Sequence, residues 1–221
     1  MAFTGYGRPD GQIRHIEGGD HDEMSEERDD ARPPSEPAPY RLDRAALRAR
    51  KPDRHTFRDA PRAPVVLVLD GVQGNYNKGA IFRLCDAFLI EHLHLCHTTL
   101  EHWGRRFAKA ARGTYHWVPH TVGEDTLEVV RHYQTQGYQV VVTEQCTGSV
   151  PVWEAALAAP VCIVLGSEME GVSPAVVAVA DQIVELPTMG MANSLNVSMS
   201  AAMLVMSAFR SLAGAANEDA S

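Results

Sequence analysis

The chain reads as an α/β protein: a mainly parallel sheet with helices on both faces. Two observations predict this. From Ala63 onward, short β-rich runs alternate with helix-like stretches. Several of those runs are apolar throughout, as strands covered on both faces are. The domain so defined spans residues 63–213, a usual size for one core. Its expected strands are 65–70 (VVLVLD), 93–96 (LHLC), 115–120 (YHWVPH), 140–144 (VVVTE), 162–166 (CIVLG) and 183–186 (IVEL), rich in β-branched and aromatic side chains. Between them, helices are expected over 78–89, about 103–112, 124–136, about 152–158 and 174–180, with a longer one after Asn196. No internal repeat is visible.

The flanks differ in texture. Residues 1–40 carry ten acids and four arginines among many Gly and Pro; ordering them would bury too little apolar surface to offset the lost entropy, so they read as a flexible acidic tail. Residues 41–62 form a basic segment, in which Leu42, Ala46 and Leu47 at helical spacing suggest a short amphipathic helix over 41–51. That helix is either a solvated linker or an RNA-contacting arm. Residues 214–221 read as a C-terminal tail.

With 221 residues, 45% of them hydrophobic and 22% charged, the chain is neither disordered nor fibrous. Its formal net charge of −8 argues against bulk attraction to a polyanion, but that total divides into −6 over residues 1–40, +5 over 41–62 and −7 over the rest. Within the last part, Lys78, Arg83, Arg105, Arg106, Lys109 and Arg112 concentrate the basic charge in one stretch that could meet RNA locally. Cys85, Cys96, Cys146 and Cys162 lack C-x-x-C pairing, which fits free thiols in a reducing cytosol. The amino terminus lacks the basic cap and apolar stretch of a leader, and no uninterrupted apolar run approaches bilayer length, so a soluble, cytoplasmic protein without a membrane partner is expected.

In open α/β sheets, ligands bind beyond the carboxyl ends of strands, and three loops there are chemically informative. The first, 70–83 (DGVQGNYNKGAIFR), has glycines but neither the Lys-Ser/Thr of a phosphate loop nor a G-x-G-x-x-G, which excludes the usual nucleotide-binding readings. It leaves Asn75 and Asn77 leading into a helix that carries Arg83, read either as a helix salt bridge or as a functional cation. The second, 165–174 (LGSEMEGVSP), joins Gly166, which allows close backbone approach, to the carboxylates Glu168 and Glu170; Ser173 and Pro174 are placed to start a helix. The third, 186–209, passes Pro187 and Gly190, then Asn193, Ser194 and Asn196, into a helix of small and apolar residues too broadly apolar for burial on one side only.

Taken in order and register, these loops resemble the SPOUT superfamily of RNA methyltransferases, and within it the SpoU/TrmH branch of ribose 2′-O-methyltransferases. Asn77 to Arg83 looks like that branch's first motif, Leu165 to Gly171 its second, and Gly190 through Ser194-Leu195-Asn196-Val197-Ser198 its third. The stretch Gly113 to Val118 is also similar to the tRNA-modifying members. Ser167 stands where Asn is frequent, Met169 where a smaller or polar residue is commoner, and Asn193 where Glu or Gln is usual. The resemblance implies S-adenosylmethionine as cofactor, held in a C-terminal trefoil knot, and a homodimer acting on structured RNA, tRNA ahead of rRNA. It implies Arg83 as the catalytic residue, supported by Asn77, Glu168, Ser194 and Asn196. By the same carry-over Leu165, Gly166, Ser167, Glu168, Leu186, Met189, Ser194, Leu195 and Asn196 surround the cofactor; the grip on RNA is expected, from their charge, of the basic segment 41–62 and of Lys78, Arg105, Arg106, Lys109 and Arg112. Arg83 is read as either a base or, since guanidinium stays protonated, a phosphate clamp. No counterpart of the family's separate amino-terminal RNA-binding domain is expected in residues 1–62. A non-catalytic RNA-binding dimer of the same fold, or the same chemistry on rRNA, is the alternative.

Two further clusters stand outside the motifs. His92, His94 and Cys96 would share one face of a strand, but their spacing matches no zinc pattern and no metal is expected. Trp103, Tyr115 and Trp117 could stack on bases or pack against the sheet.

Overall fold

The structure, a computed structural model, describes residues 44–49, 51, 57, 60–98 and 103–218. Residues 1–40 lie outside it, as does most of the basic segment. A first unit ends at Lys51, and its described helix α1 (Arg44–Ala49) leaves Leu47 48% exposed.

The second unit begins at Pro52. Its elements are β1 (Ala63–Asp70), α2 (Asn75–Ala87), β2 (Ile90–Cys96), α3 (Gly104–Ala111), β3 (His120–Val122), α4 (Thr126–Thr135), β4 (Gln139–Thr143), β5 (Val150–Pro151), β6 (Val161–Gly166), α5 (Pro174–Val177), β7 (Gln182–Glu185) and α6 (Val197–Glu218). The strands form one sheet in the order β3-β2-β1-β6-β4-β7-β5, and every pairing is parallel. Period-2 alternation splits β1 between two cores. Val65, Leu67 and Leu69 face Ile81, Phe82, Phe107 and Leu204 from α2, α3 and α6, whereas Val66 and Val68 face Val129, Val130 and Val176 from α4 and α5. Helices thus cover both faces, as the apolar strands require.

Three expected elements differ. Residues 115–120 do not form a strand: Arg112 and Gly113 take left-handed conformations that end α3, Thr114–His116 make a 3-10 turn, and pairing with β2 begins only at His120. The expected helix at 152–158 is a set of turns, preceded by the short edge strand β5, where Pro151 is tolerated. The helix expected over 174–180 is helical only to Val177, and α6 runs through residues 214–218, read above as tail. Arg62, counted in the basic linker, is part of the domain: its guanidinium donates to the carbonyls of Ile90 (3.2 Å) and Trp117 (3.4 Å).

Two packing features position the site. Gly79 lies where α2 crosses α3, and a Cβ there would sit 2.7 Å from the Phe107 carbonyl oxygen and 2.8 Å from the Ala110 Cβ. In β1, β6 and β4 the registers Asp70–Gly166 and Leu165–Thr143 bring the three carboxyl ends to one level. Helix α6 buries Ala201, Leu204, Val205 and Ala208 in the core and exposes Met199, Met203 and Met206. Its span Val197–Gly214 is, by length and composition, apolar enough to cross a bilayer, a length that counting uninterrupted apolar runs missed because Ser198, Ser200, Ser207 and Ser211 punctuate it.

Candidate active site

Beyond the carboxyl ends of β4, β6 and β7 lies a cavity of about 730 Å³. Of the residues expected around a cofactor, Leu165, Gly166, Ser167, Glu168, Leu186, Ser194 and Leu195 line it. Met189 and Asn196 do not: Met189 is 91% exposed on the loop after β7, and Asn196 is turned to the start of α6. The wall formed by Thr143 and Glu144 at the end of β4, and Glu185 at the end of β7, was not foreseen. The signal was present, since the run VVVTE ends on a polar pair at the strand's carboxyl end, where ligands bind in such sheets.

The second loop is a tight hairpin. Ser167 and Gly171 exchange backbone hydrogen bonds (3.2 and 3.0 Å), and the Ser167 hydroxyl accepts from the Glu170 amide at 3.0 Å. Glycine is required at both ends: a Cβ on Gly166 would overlap the backbone of Gly171, and one on Gly171, which has φ +68°, would overlap the Glu144 carboxylate. The hairpin tip projects Glu168 towards α2.

There the three loops meet. The Asn77 side-chain amide donates to the Glu168 carboxylate, and the Asn196 amide donates to the Asn77 carbonyl oxygen at 3.0 Å. Asn196 also caps α6, accepting from the Ser198 amide (2.9 Å) and hydroxyl (2.6 Å). One hydrogen-bonded string therefore joins residues 77, 168 and 196. Ser194 lies in the cavity wall beside it.

Arg83 is exposed on α2, outside the cavity lining, and makes no hydrogen bond or ion pair with a described residue; the helix salt bridge is not formed. It shares a stripe of α2 with Gly79, packed on α3, and with Asp86, which accepts from the Trp117 indole at 2.7 Å. Along α3, Arg105, Arg106 and Lys109 are exposed, as is Arg112 beyond it. Lys78 is a correction. It is 3% exposed, its ammonium donates to the Thr98 hydroxyl at 3.3 Å, and burial lowers its pKa, so it is not a surface contact for RNA. Trp103 packs on Phe82 and Phe107 (ring centroids 5.3 and 4.0 Å apart) and Tyr115 on Phe107 and Trp103 (5.4 and 5.8 Å), which leaves both half-buried in an aromatic cluster.

The cavity is electrostatically one-sided. Glu144, Glu168, Glu170 and Glu185 line it, and among the described residues no Lys or Arg does. Such a wall favours a cationic ligand and repels a polyphosphate. The Thr143 hydroxyl is buried there without a hydrogen-bond partner.

The histidines of β2 serve the fold. His94 lies between the Glu124 carboxylate (2.6 Å) and the Tyr133 hydroxyl (3.0 Å), and His92 bonds the Thr121 hydroxyl at 2.6 Å. Burial, reinforced by neighbouring His94, lowers the His92 pKa from 6.5 to about 4. Between those values the unfolded chain binds a proton that the folded chain refuses, so stability present above pH 6.5 is lost as pH falls towards 4. Thermal unfolding across that window is expected to show a falling midpoint, with a shallower fall in His92→Gln.

Comparison with known proteins places this geometry among relatives. A family model described as SpoU rRNA Methylase family matches residues 64–206. The chain is 31% identical over 150 residues to a tRNA (guanosine(18)-2′-O)-methyltransferase of Aquifex aeolicus, covering 66% of this chain and 69% of that protein. A protein of the same name from Escherichia coli K12 is 31% identical over 156 residues, covering 68% and 66% respectively. Among solved structures, the Aquifex aeolicus TrmH/SpoU tRNA modifying enzyme superposes with a TM-score of 0.64 at 28% identity, over 71% of this chain and 81% of that one. An AdoMet-bound rRNA methyltransferase from Sinorhizobium meliloti gives a TM-score of 0.61 at 26% identity, over 70% and 59%.

Proposed function

The chain belongs to the SpoU rRNA methylase family, and on that premise we propose that it transfers a methyl group from S-adenosylmethionine to a ribose 2′-hydroxyl of structured RNA, tRNA ahead of rRNA, as a cytoplasmic homodimer. The observation that carries this reading is the string Glu168–Asn77–Asn196, which ties three distant loops together beside an acid-lined cavity.

The residues present fit the cofactor. A volume of about 730 Å³ lies within the usual range for small-molecule sites. Four carboxylates suit a ligand bearing a sulfonium and an ammonium, and the unpartnered Thr143 hydroxyl offers it a hydrogen bond. Leu165, Leu186 and Leu195 supply apolar wall. When bound, S-adenosylmethionine supplies an electrophilic methyl group. The enclosing C-terminal segments, 165–173 and 186–196, are the part we read as a trefoil knot, a reading supported by the likeness to the Aquifex fold.

The protein's own task is orientation, which can supply much of the rate of an in-line displacement. The Glu168–Asn77–Asn196 string fixes the hairpin against α2. Arg83 is exposed and its guanidinium meets no partner among the described residues, so we assign it to grip the phosphate beside the target ribose, holding the hydroxyl in line. Arg105, Arg106, Lys109 and Arg112 continue the basic surface along α3, where phosphates would be met. The preference for tRNA is supported by the names of the two relatives above, and a homodimer by the exposed methionines 199, 203 and 206 of α6, three apolar side chains on a helix whose other face, Ala201, Leu204, Val205 and Ala208, is buried in the core.

Titration calorimetry with S-adenosylmethionine, followed by methyl-transfer assays on bulk tRNA and rRNA, tests the reading. Stoichiometric binding and transfer to tRNA are expected. Binding without transfer to either RNA would leave the non-catalytic alternative, and no binding would sink both cofactor and activity.

A further inference from the structure

Where β6 gives way to the 167–171 hairpin, the strands on either side of it both end in an acid. Asp70 closes β1 and pairs in register with Gly166; Glu144 follows Thr143, whose partner is Leu165. The two carboxylates take consecutive backbone amides as the chain leaves the hairpin. Glu144 Oε2 accepts from the Val172 amide at 2.9 Å, and Asp70 Oδ2 accepts from the Ser173 amide at 2.8 Å. We propose that Asp70 and Glu144 form a two-sided carboxylate clamp that sets the position of the hairpin for cofactor binding, with Glu144 the specific positioning residue. This rests on the reading of the cavity as the S-adenosylmethionine site.

Three observations support it. Glu144 is not there as half of an ion pair: among the described residues its carboxylate meets no Lys or Arg, and its other oxygen accepts from the Gln145 amide at 3.0 Å. Its bonds are of the charge-assisted kind, about twice as strong as neutral ones. Gly171 has no side chain at the spot where the carboxylate lies, so hairpin and acid fit only as a pair. Finally, the clamped hairpin carries Glu168, whose carboxylate holds Asn77; a shift at Val172 would reach both the cavity wall and α2. Asp70 has a second duty, accepting from the Thr126 hydroxyl (2.6 Å) at the start of α4, so its loss would loosen more than the hairpin. Glu144 is therefore the residue on which the clamp is tested.

The test uses the full chain without cofactor, then with it. Amide hydrogen exchange followed by NMR reads the two clamped N–H groups directly, and calorimetry reads S-adenosylmethionine affinity. Glu144→Ala is expected to speed exchange at Val172 about tenfold or more and to weaken S-adenosylmethionine binding by a similar factor, while Ser173 keeps its protection. Glu144→Gln, whose amide oxygen can still accept, should keep exchange at Val172 within about threefold of the wild type and bind S-adenosylmethionine more tightly than Glu144→Ala, although it lacks the charge at the cavity wall. Unchanged exchange at Val172 in Glu144→Ala overturns the clamp, and so does faster exchange with unchanged affinity. Equal loss of protection at Val172 and Ser173, or equal effects of Ala and Gln on exchange at Val172, would mean general loosening and also overturns it. If the wild type itself took up no S-adenosylmethionine, the functional reading would fail, and exchange at Val172 alone would decide whether the clamp exists.

Discussion

Arg83→Ala lowers methyl transfer by about a hundredfold or more while S-adenosylmethionine affinity stays within about twofold of the wild type. The two halves of this expectation come from one fact: Arg83 stands exposed on α2, outside the cavity lining, with no hydrogen-bond or ion-pair partner among the described residues. Removing it leaves the cavity wall untouched and creates no unpaired neighbour. What it removes is a fork of donors that only an RNA phosphate would engage, so the loss falls on orientation of the hydroxyl. Arg83→Lys should recover little, because a single ammonium cannot reproduce a planar two-point contact. Calorimetry with the cofactor and a radiolabelled methyl-transfer assay separate the two halves. Full turnover in Arg83→Ala would remove the residue from its role, and joint loss of binding would move it into the cofactor site.

Gly166→Ala acts at the other end of the site. The added methyl would overlap the backbone of Gly171, and backbone cannot rotate aside as a side chain can. The hairpin has to move, taking the Ser167–Gly171 bonds and the Glu168 carboxylate with it. Overpacking of this kind costs about 1–3 kcal/mol. Here it should appear as weakened S-adenosylmethionine binding together with a lowered unfolding midpoint. Met169→Ala, at the 96% exposed tip of the same hairpin, is the control for folding and should leave the unfolding midpoint unchanged. Unchanged affinity in Gly166→Ala would mean that the cofactor does not depend on this turn.

The sheet was legible because its strands are buried on both faces. Val65 to Leu69 and Val161 to Leu165 are unbroken apolar runs for that reason, and no surface strand would be written so. Residues 115–120 misled because aromatic residues favour strands only where a pleated surface receives them. Here Gly113 turns the chain first, and Tyr115 packs onto Phe107 from a turn. The alanines of 152–158 carried helical propensity, but Pro151 and Pro160 bracket them, and Val150 pairs with Val184 instead. In the site, Asn77, Glu168 and Asn196 could be read from motif order, and they prove to be hydrogen-bonded to one another. Lys78 lies inside that first motif yet was misjudged, since charge alone does not reveal that an ammonium is buried on Thr98. Glu144 escaped because its partner in the hairpin exit is the Val172 backbone amide, 28 residues away, a relation that exists only once β4 and β6 are neighbours.

The thiols have a practical consequence. Burial raises the pKa of Cys85 and Cys162 far beyond the ordinary thiol range and that of Cys96 to about 12, so none of the three offers a reactive thiolate near neutral pH. Cys146 is exposed, beside Glu144 at the rim of the cavity. A maleimide dye added to the unmutated protein would therefore attach at one place, and its emission would report directly on what enters and leaves that opening.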